Sequence, residues 1–159
     1  MRVIHTVLMF LRAYLPAWLT TYLVASILHT QFVLLNLVRL NVDIAPRKWL
    51  MTTLADIQGL LLLYGSAISA TLLIAMIVAN WLTTRRHCSS TVRRFIYVLA
   101  GAVGMWVMLA AMQPILNVTL IAGARSTLGV IMQCVAGGLG GFVFAVCHKP
   151  QDRSKPSSL

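Results

Sequence analysis

The sequence predicts an all-α integral membrane protein: a bundle of four transmembrane helices with a short amphipathic interfacial segment between helices 1 and 2. Hydrophobic residues fill 59% of the 159 positions, and the mean hydropathy is +0.85. Charged residues make up only 10%, whereas soluble domains contain about 25%. Folded soluble proteins need polar surface to meet water, so this composition indicates that lipid is the solvent of the chain.

Four apolar windows are long enough to cross a hydrocarbon layer about 30 Å thick, which takes about 20 residues of helix. They cover residues 14–35, 57–82, 95–116 and 126–147. Transmembrane β-strands are about 10 residues long with alternating polarity, and the sequence has no such alternation. Residues 1–148 are therefore predicted to form a single membrane domain, and the polar tail 149–159 is predicted to be disordered in the cytoplasm.

The segment between the first two windows, residues 41–57, is predicted to form a short helix on the outer membrane surface. Pro46 suits the first turn of a helix, and apolar residues recur after it at helical spacing as far as Ile57. Trp49 is expected at headgroup depth, where tryptophan is enriched.

The distribution of positive charge predicts the orientation of the helices. With four spans, both termini and the central loop lie on one side of the membrane. Of the 13 basic residues, four lie on the other side, which leaves nine on the side of the termini. The positive-inside rule then places both termini in the cytoplasm of a bacterial-type inner (plasma) membrane. The same distribution explains the net charge of +10, and no nucleic-acid partner is expected.

Small residues form a ridge on the fourth predicted helix. Gly129, Gln133, Gly137 and Gly141 lie four residues apart, with Gly138 and Gly140 beside them. In lipid, helices gain little from burying leucine against leucine, and they associate through small residues and interhelical hydrogen bonds. The ridge is therefore predicted to be a helix-packing face with Gln133 as its polar contact.

The third predicted helix carries a matching face of glycine and methionine. Its members recur at helical spacing: Gly101, Gly104, Met105, Met108 and Met112. Methionine fills irregular gaps beside small residues. We expect the third and fourth helices to pack as an antiparallel pair, or to meet the same face of a neighbouring subunit. The sequence leaves both options open.

Polar residues gather near the predicted outer ends of the helices. The group comprises His29, Gln31, Asp56, Gln113 and Arg125. The favoured interpretation is a structural clamp that ties helix ends together, with an ion pair between Asp56 and Arg125, because an unpaired charge there would be costly. The alternative interpretation is a proton- or ligand-binding vestibule.

Neither a catalytic residue nor a cofactor is predicted. The sequence contains no phosphate-binding glycine loop, no HExxH motif and no nucleophile elbow. A haem between helices usually needs two axial ligands at one depth, and His29 is the only histidine within a predicted span.

Three methionines are weak candidates for a metal site. Met108 and Met112 form an MxxxM pair, which a GxxxG helix and then Cys147 and His148 follow. Over the last third of the chain this order resembles the copper transporter family, and the resemblance implies thioether and thiolate binding of Cu(I). The chain departs from that family by its fourth helix, its basic central loop and the lack of a Met- or His-rich outer terminus. A packing stripe that includes Met105 is the favoured interpretation.

The sequence thus predicts a non-catalytic accessory or interaction subunit, which packs through its glycine-rich face into a homo-oligomer or a larger membrane complex. The alternative is a small channel or transporter with a polar vestibule near the outer side, and Cu(I) handling ranks third. The predicted spans carry no ionisable group near the midplane, which argues against proton-coupled antiport.

Overall fold

The computed structural model describes residues 2–39, 46–85, 89–116 and 127–148, which form five α-helices and no strand. The helices are α1 (Arg2–Arg39), α2 (Pro46–Gly59), α3 (Ser66–Arg85), α4 (Ser90–Leu116) and α5 (Thr127–Cys147). A π-helical turn, Leu61–Gly65, joins α2 to α3. Four helices are long and apolar enough to cross a membrane: α1, α3 with its π-helical turn, α4 and α5. The all-α class and the four long apolar helices predicted from the sequence are confirmed.

The four long helices form an antiparallel bundle. α5 packs between α4 and α1, and α3 packs against α4 and, less extensively, α1. Gly101 of α4 lies beside Gly137 of α5, and Tyr97, one turn earlier in α4, lies beside Gly141, one turn later in α5. Such opposite progression along two helices means that they run antiparallel. The short α2 lies against α1.

The first helix begins earlier than the predicted window 14–35. It is helical from Arg2, and its apolar stretch runs from Ile4 to Leu35. Arg12 interrupted that stretch in the sequence, but its side chain is exposed on the bundle. A long arginine side chain can lie along an apolar helix with its charged end at the surface, so Arg12 does not end the helix.

The core of the bundle contains aromatic, aliphatic and polar side chains. The largest of the fully buried ones are Tyr22, Tyr97, Phe144, Ile68, Leu72, Met76, Met105 and Gln133. The outward faces stay apolar as well, because Leu62 is 87% exposed, Ile74 is 64% exposed and Phe95 is 65% exposed. The apolar residues therefore cover both the inside and the outside of the bundle.

An open apolar groove of about 510 Å³ lies between α3 and α4. At Gly104, which lines the groove, an added Cβ atom would lie 3.3 Å from both Thr71 and Ala75. Ala100 and Met112 also line the groove. Small side chains thus let α3 and α4 approach closely while leaving part of their shared face uncovered.

Candidate functional site: a polar cluster between α1 and the α2–α3 junction

One ridge of α1 connects the helix to the end of α2. The ridge consists of Tyr22, Ser26 and Thr30, which are four residues apart and therefore share a helix face. The Tyr22 hydroxyl donates to the backbone oxygen of Ile57, and the Thr30 hydroxyl lies 3.0 Å from Oδ2 of Asp56. Ser26 lies between these two contacts on the same face of α1.

Two side chains in this region are enclosed, and each has a polar atom without a hydrogen-bond partner. Ser26 is 0% exposed and His29 is 8% exposed, and among the described residues neither Ser26 Oγ nor His29 Nδ1 has a partner. His29 also interacts electrostatically with the Asp56 carboxylate. Most buried polar atoms in folded proteins are hydrogen-bonded. Ser26 Oγ and His29 Nδ1 therefore have hydrogen-bonding capacity that a further polar group could use.

The π-helical turn directs a second polar contact into the bundle. The amide of Gly65 donates to the oxygen of Leu60 at 3.1 Å. The two residues are five positions apart in the chain, which is the hydrogen-bond spacing of a π-helix. Tyr64, within this turn, is 2% exposed, and its hydroxyl donates to Gln133 Oε1 of α5 at 2.8 Å. The Trp18 indole donates to the oxygen of Gly65 at 3.0 Å. Single π-helical turns are frequent at functional sites.

Gln133 connects α5 to both neighbouring elements. It accepts from Tyr64, and its amide nitrogen donates to the oxygen of Ala25 at 3.1 Å. Ala25 and Thr30 are about 7.5 Å apart along α1 by the rise per residue. We call the whole group the polar cluster: Tyr22, Ser26, His29, Thr30, Asp56, Tyr64 and Gln133.

The structure brings part of the predicted polar group together. His29 and Asp56 are neighbours, as described above. Gln31 instead accepts a hydrogen bond of 2.9 Å from the indole of Trp49, which holds α2 against α1. Arg125 lies outside the described residues, and so does the side chain of Gln113 in α4. The Asp56–Arg125 ion pair therefore stays a prediction.

The predicted packing glycines do not all contact the same helix. Gly137 and Gly101 lie backbone to backbone, and an added Cβ on Gly141 would overlap the oxygen of Tyr97. Gly140 instead faces Thr21 and Ala17 of α1. The helices that correspond to the third and fourth predicted spans, α4 and α5, thus pack as an antiparallel pair within the chain, and contact with a neighbouring subunit stays a prediction.

Two further members of the predicted packing face have other positions. Gly104 faces α3 rather than α5, because it lies on the side of α4 that lines the groove. Gly129 is buried within the bundle.

The methionines at helical spacing on α4 lie in two places. Met105 is 0% exposed and lies where a Cβ atom on Gly137 would be. Met108 and Met112 line the groove between α3 and α4. Among the described residues, no group of three or more His, Cys, Asp or Glu side chains could hold a metal ion.

The predicted polar group did not include four members of the cluster: Tyr22, Ser26, Thr30 and Tyr64. The first three had a usable signal, since they lie four residues apart on α1. Tyr64 had none, because its inward direction depends on the π-helical turn.

No protein-family model, curated protein or solved structure matches this chain.

Proposed function

We propose that the chain is a non-catalytic, multi-pass protein of a bacterial-type inner membrane, with both termini in the cytoplasm. Four helices of sufficient length and apolar composition support insertion, and so do the exposed apolar side chains on their outward faces. Soluble monomers rarely expose contiguous apolar surface of this extent. The excess of basic residues beside the N-terminus and in the α3–α4 connection supports the orientation.

Within this class, we propose a small channel or transporter whose solute site is the polar cluster. The observation that carries the proposal is the enclosure of Ser26 and His29, each with an unpartnered polar atom among the described residues, on the part of α1 whose Thr30 and His29 interact with Asp56. An unpartnered buried polar group costs about 1–3 kcal/mol of stability. Polar and ionisable side chains inside membrane helices commonly belong to solute and ion pathways, where a passing solute supplies the missing partner.

The glycine ridge supports an interaction role less well than the sequence alone suggested. Its residues contact α4 and α1 of the same chain, so little of the ridge is left for a neighbour. The ridge holds the bundle together and thereby positions the polar cluster.

Flux into proteoliposomes tests the channel or transporter proposal. The purified protein is reconstituted, and stopped-flow light scattering follows volume recovery in gradients of urea, glycerol, NaCl and KCl. We expect recovery faster than in protein-free vesicles for at least one of these solutes. Asp56→Asn and Ser26→Val should slow it, because they remove the charge and a hydroxyl from the site.

Thr20→Val is the matched control for this experiment. The Thr20 hydroxyl bonds within α1 to the oxygen of Pro16 at 2.7 Å and lies outside the polar cluster, so we expect normal flux from this variant. Folded, inserted protein that passes none of the four solutes would overturn the proposal, as would equal flux from wild type and Asp56→Asn.

The groove between α3 and α4 favours a second candidate function, an interaction subunit. Ala100 and Gly104 lie four residues apart on its α4 wall and Ala75 lies opposite. Small residues at this spacing are typical of interfaces between transmembrane helices. We propose that a helix of a second copy occupies the groove, because homodimers related by a two-fold axis are the commonest assemblies and bury one apolar patch twice.

Photo-crosslinking between two differently tagged copies tests this second function. A crosslinking amino acid at Val103, which lines the groove, should yield a dimer that carries both tags. Leu99 is the control, since it is similarly exposed at 51% but is not part of the groove lining. Lipid adducts without dimer, or equal dimer from both positions, would contradict the assignment.

A further inference from the structure

We propose that the polar cluster binds a small monovalent cation, and that Asp56 supplies the compensating charge. The inference rests on the proposed function, because it names the solute class for the same site. Asp56 is the only acidic residue among the described residues of a chain with net charge +10. A single half-buried carboxylate in such a chain is a specific point of attraction for a cation.

The hydrogen bonds of the cluster leave oxygen atoms available to a cation. The Thr30 hydroxyl is within bonding distance of Asp56 Oδ2 at 3.0 Å and of the Ser26 backbone oxygen at 3.1 Å. A hydroxyl has one proton, so these two acceptors share it. A carboxylate can accept about four hydrogen bonds, and the lone pairs of Ser26 Oγ are unused as well.

The ligands occupy a narrow sector of α1. Ser26, His29 and Thr30 fall within about 100° on a helix of 3.6 residues per turn, and Asp56 interacts with both His29 and Thr30. Ser26 Oγ and His29 Nδ1 are enclosed and unpartnered. A cation between α1 and α2 would give both atoms a partner.

The end of α2 adds to the attraction. Asp56 and Ile57 belong to its last turn, before the helix ends at Gly59. The carbonyl end of a helix carries a partial negative charge. The backbone oxygens of Asp56 and Ile57 already accept from the Leu60 amide and the Tyr22 hydroxyl, so this helix end acts through its partial charge and not as a direct ligand. The bend between α2 and α3 therefore places a helix terminus and a carboxylate at the same point.

The kinds of ligand atom in the polar cluster determine which class of cation fits the site. Calcium takes six to eight oxygen ligands, usually with several carboxylates, and this site has one carboxylate. Among the described residues, no group of three His, Cys, Asp or Glu side chains exists for a transition metal. Hydroxyl oxygens with a single carboxylate fit a small monovalent ion such as Na⁺ or Li⁺.

Thermal unfolding in detergent, followed by tryptophan fluorescence, tests the binding directly. Unfolding is measured at constant ionic strength while choline chloride is replaced by LiCl, NaCl or KCl. A ligand that binds only the folded state raises its Tm with concentration, so at least one small cation should raise the Tm of the wild type. Asp56→Asn should weaken the effect, with about 10–100-fold lower affinity from the lost charged contact.

Ser26→Ala separates a ligand site from a purely structural role. In choline chloride, removal of an unpartnered buried hydroxyl should leave the Tm unchanged or raise it. In the cation that stabilises the wild type, the same variant should lose most of the Tm shift. Thr20→Val, outside the cluster, should keep the full shift.

Equal Tm values in all four salts would overturn the proposal, as would an unchanged shift in Asp56→Asn. An Asp56–Arg125 ion pair would neutralise the carboxylate, and such a pair predicts equal Tm values in all four salts. The proteoliposome experiment keeps the two proposals distinguishable. Cation-dependent Tm shifts without flux would contradict only the transport function, whereas flux of urea or glycerol without Tm shifts would contradict only the cation site.

Discussion

Gly101 of α4 and Gly137 of α5 lie so close together that a Cβ atom added to either would overlap the backbone oxygen of the other. Both residues are buried, and neither helix can rotate away without losing contacts elsewhere in the bundle. The distance between α4 and α5 is therefore set by the absence of two side chains.

Gly137→Ala is expected to destabilise the protein by about 1–3 kcal/mol, the usual cost of overpacking a well-packed core. The added methyl group meets backbone and Met105, and the backbone cannot move aside as a flexible side chain could. The measurement is unfolding by SDS titration in mixed micelles, followed by circular dichroism.

Gly138→Ala is the matched control, one residue further along the same helix. Its added Cβ would lie 3.5 Å from Val98, an ordinary contact, and alanine favours the helix over glycine. We expect no loss of stability. Equal destabilisation by both variants would mean that the close contact between α4 and α5 does not limit the fold.

Gly140 and Thr21 should be energetically coupled across α5 and α1. A Cβ atom on Gly140 would overlap the Thr21 hydroxyl oxygen and lie 2.9 Å from the oxygen of Ala17. Gly140→Ala should therefore destabilise the bundle, and Thr21→Ala should partly restore it by removing that hydroxyl. A double-mutant cycle in SDS unfolding measures the coupling, and strictly additive effects would contradict the contact.

The Tyr64–Gln133 hydrogen bond gives a third prediction. Tyr64→Phe leaves Gln133 Oε1 without its donor, and Gln133→Leu leaves the Tyr64 hydroxyl without its acceptor. Hydrogen bonds between membrane helices are coupled by about 0.6 kcal/mol on average, with a maximum of about 1.7. The double variant should therefore lose less stability than the sum of the single variants. A coupling energy of zero in the cycle would show that the pair does not form.

His148, just beyond the end of α5, should make stability depend on pH. Burial beside Phe10 and Phe144, and then the positive charge of Arg93, lower the pKa of His148 below its ordinary value of 6.5. The unfolded state thus binds a proton more readily than the folded state. The contribution of the neutral, buried His148 to the free energy of unfolding is fully present above pH 6.5. It is lost as the pH falls through the lower pKa of the folded state.

His148→Gln tests this contribution by removing the titrating group. Unfolding free energy is measured between about pH 7.5 and about pH 5, a range that includes the ordinary histidine pKa of 6.5, for wild type and variant. The wild type should lose more stability than the variant over this range. Parallel curves would contradict a lowered pKa for His148.

The number and type of long helices could be predicted from the sequence, but several of their contacts could not. Gly104 and Gly101 are three residues apart on the same predicted face, yet Gly104 contacts α3 and Gly101 contacts α5. A helix in the middle of a bundle has neighbours on two sides. Periodicity identifies small residues but not which neighbour covers each of them.

In the polar group, too, some relationships could be predicted from the sequence and others could not. Composition and position indicated that His29 and Asp56 lie at one depth, since both are near helix ends in the sequence. The direction of Tyr64 toward Gln133 depends on a π-helical turn, and the choice between α-helical and π-helical hydrogen bonding depends on contacts made by the surrounding helices.

The amino-acid sequence by itself determined the all-α class and the four long apolar helices, because length and hydropathy are properties of each segment alone. Only the tertiary structure decided that the glycine ridge is filled by α4 and α1 of the same chain, and that His29 and Thr30 of α1 lie beside Asp56 of α2. Those outcomes depend on how distant segments pack at once, since each close approach of two backbones restricts where every other helix can lie.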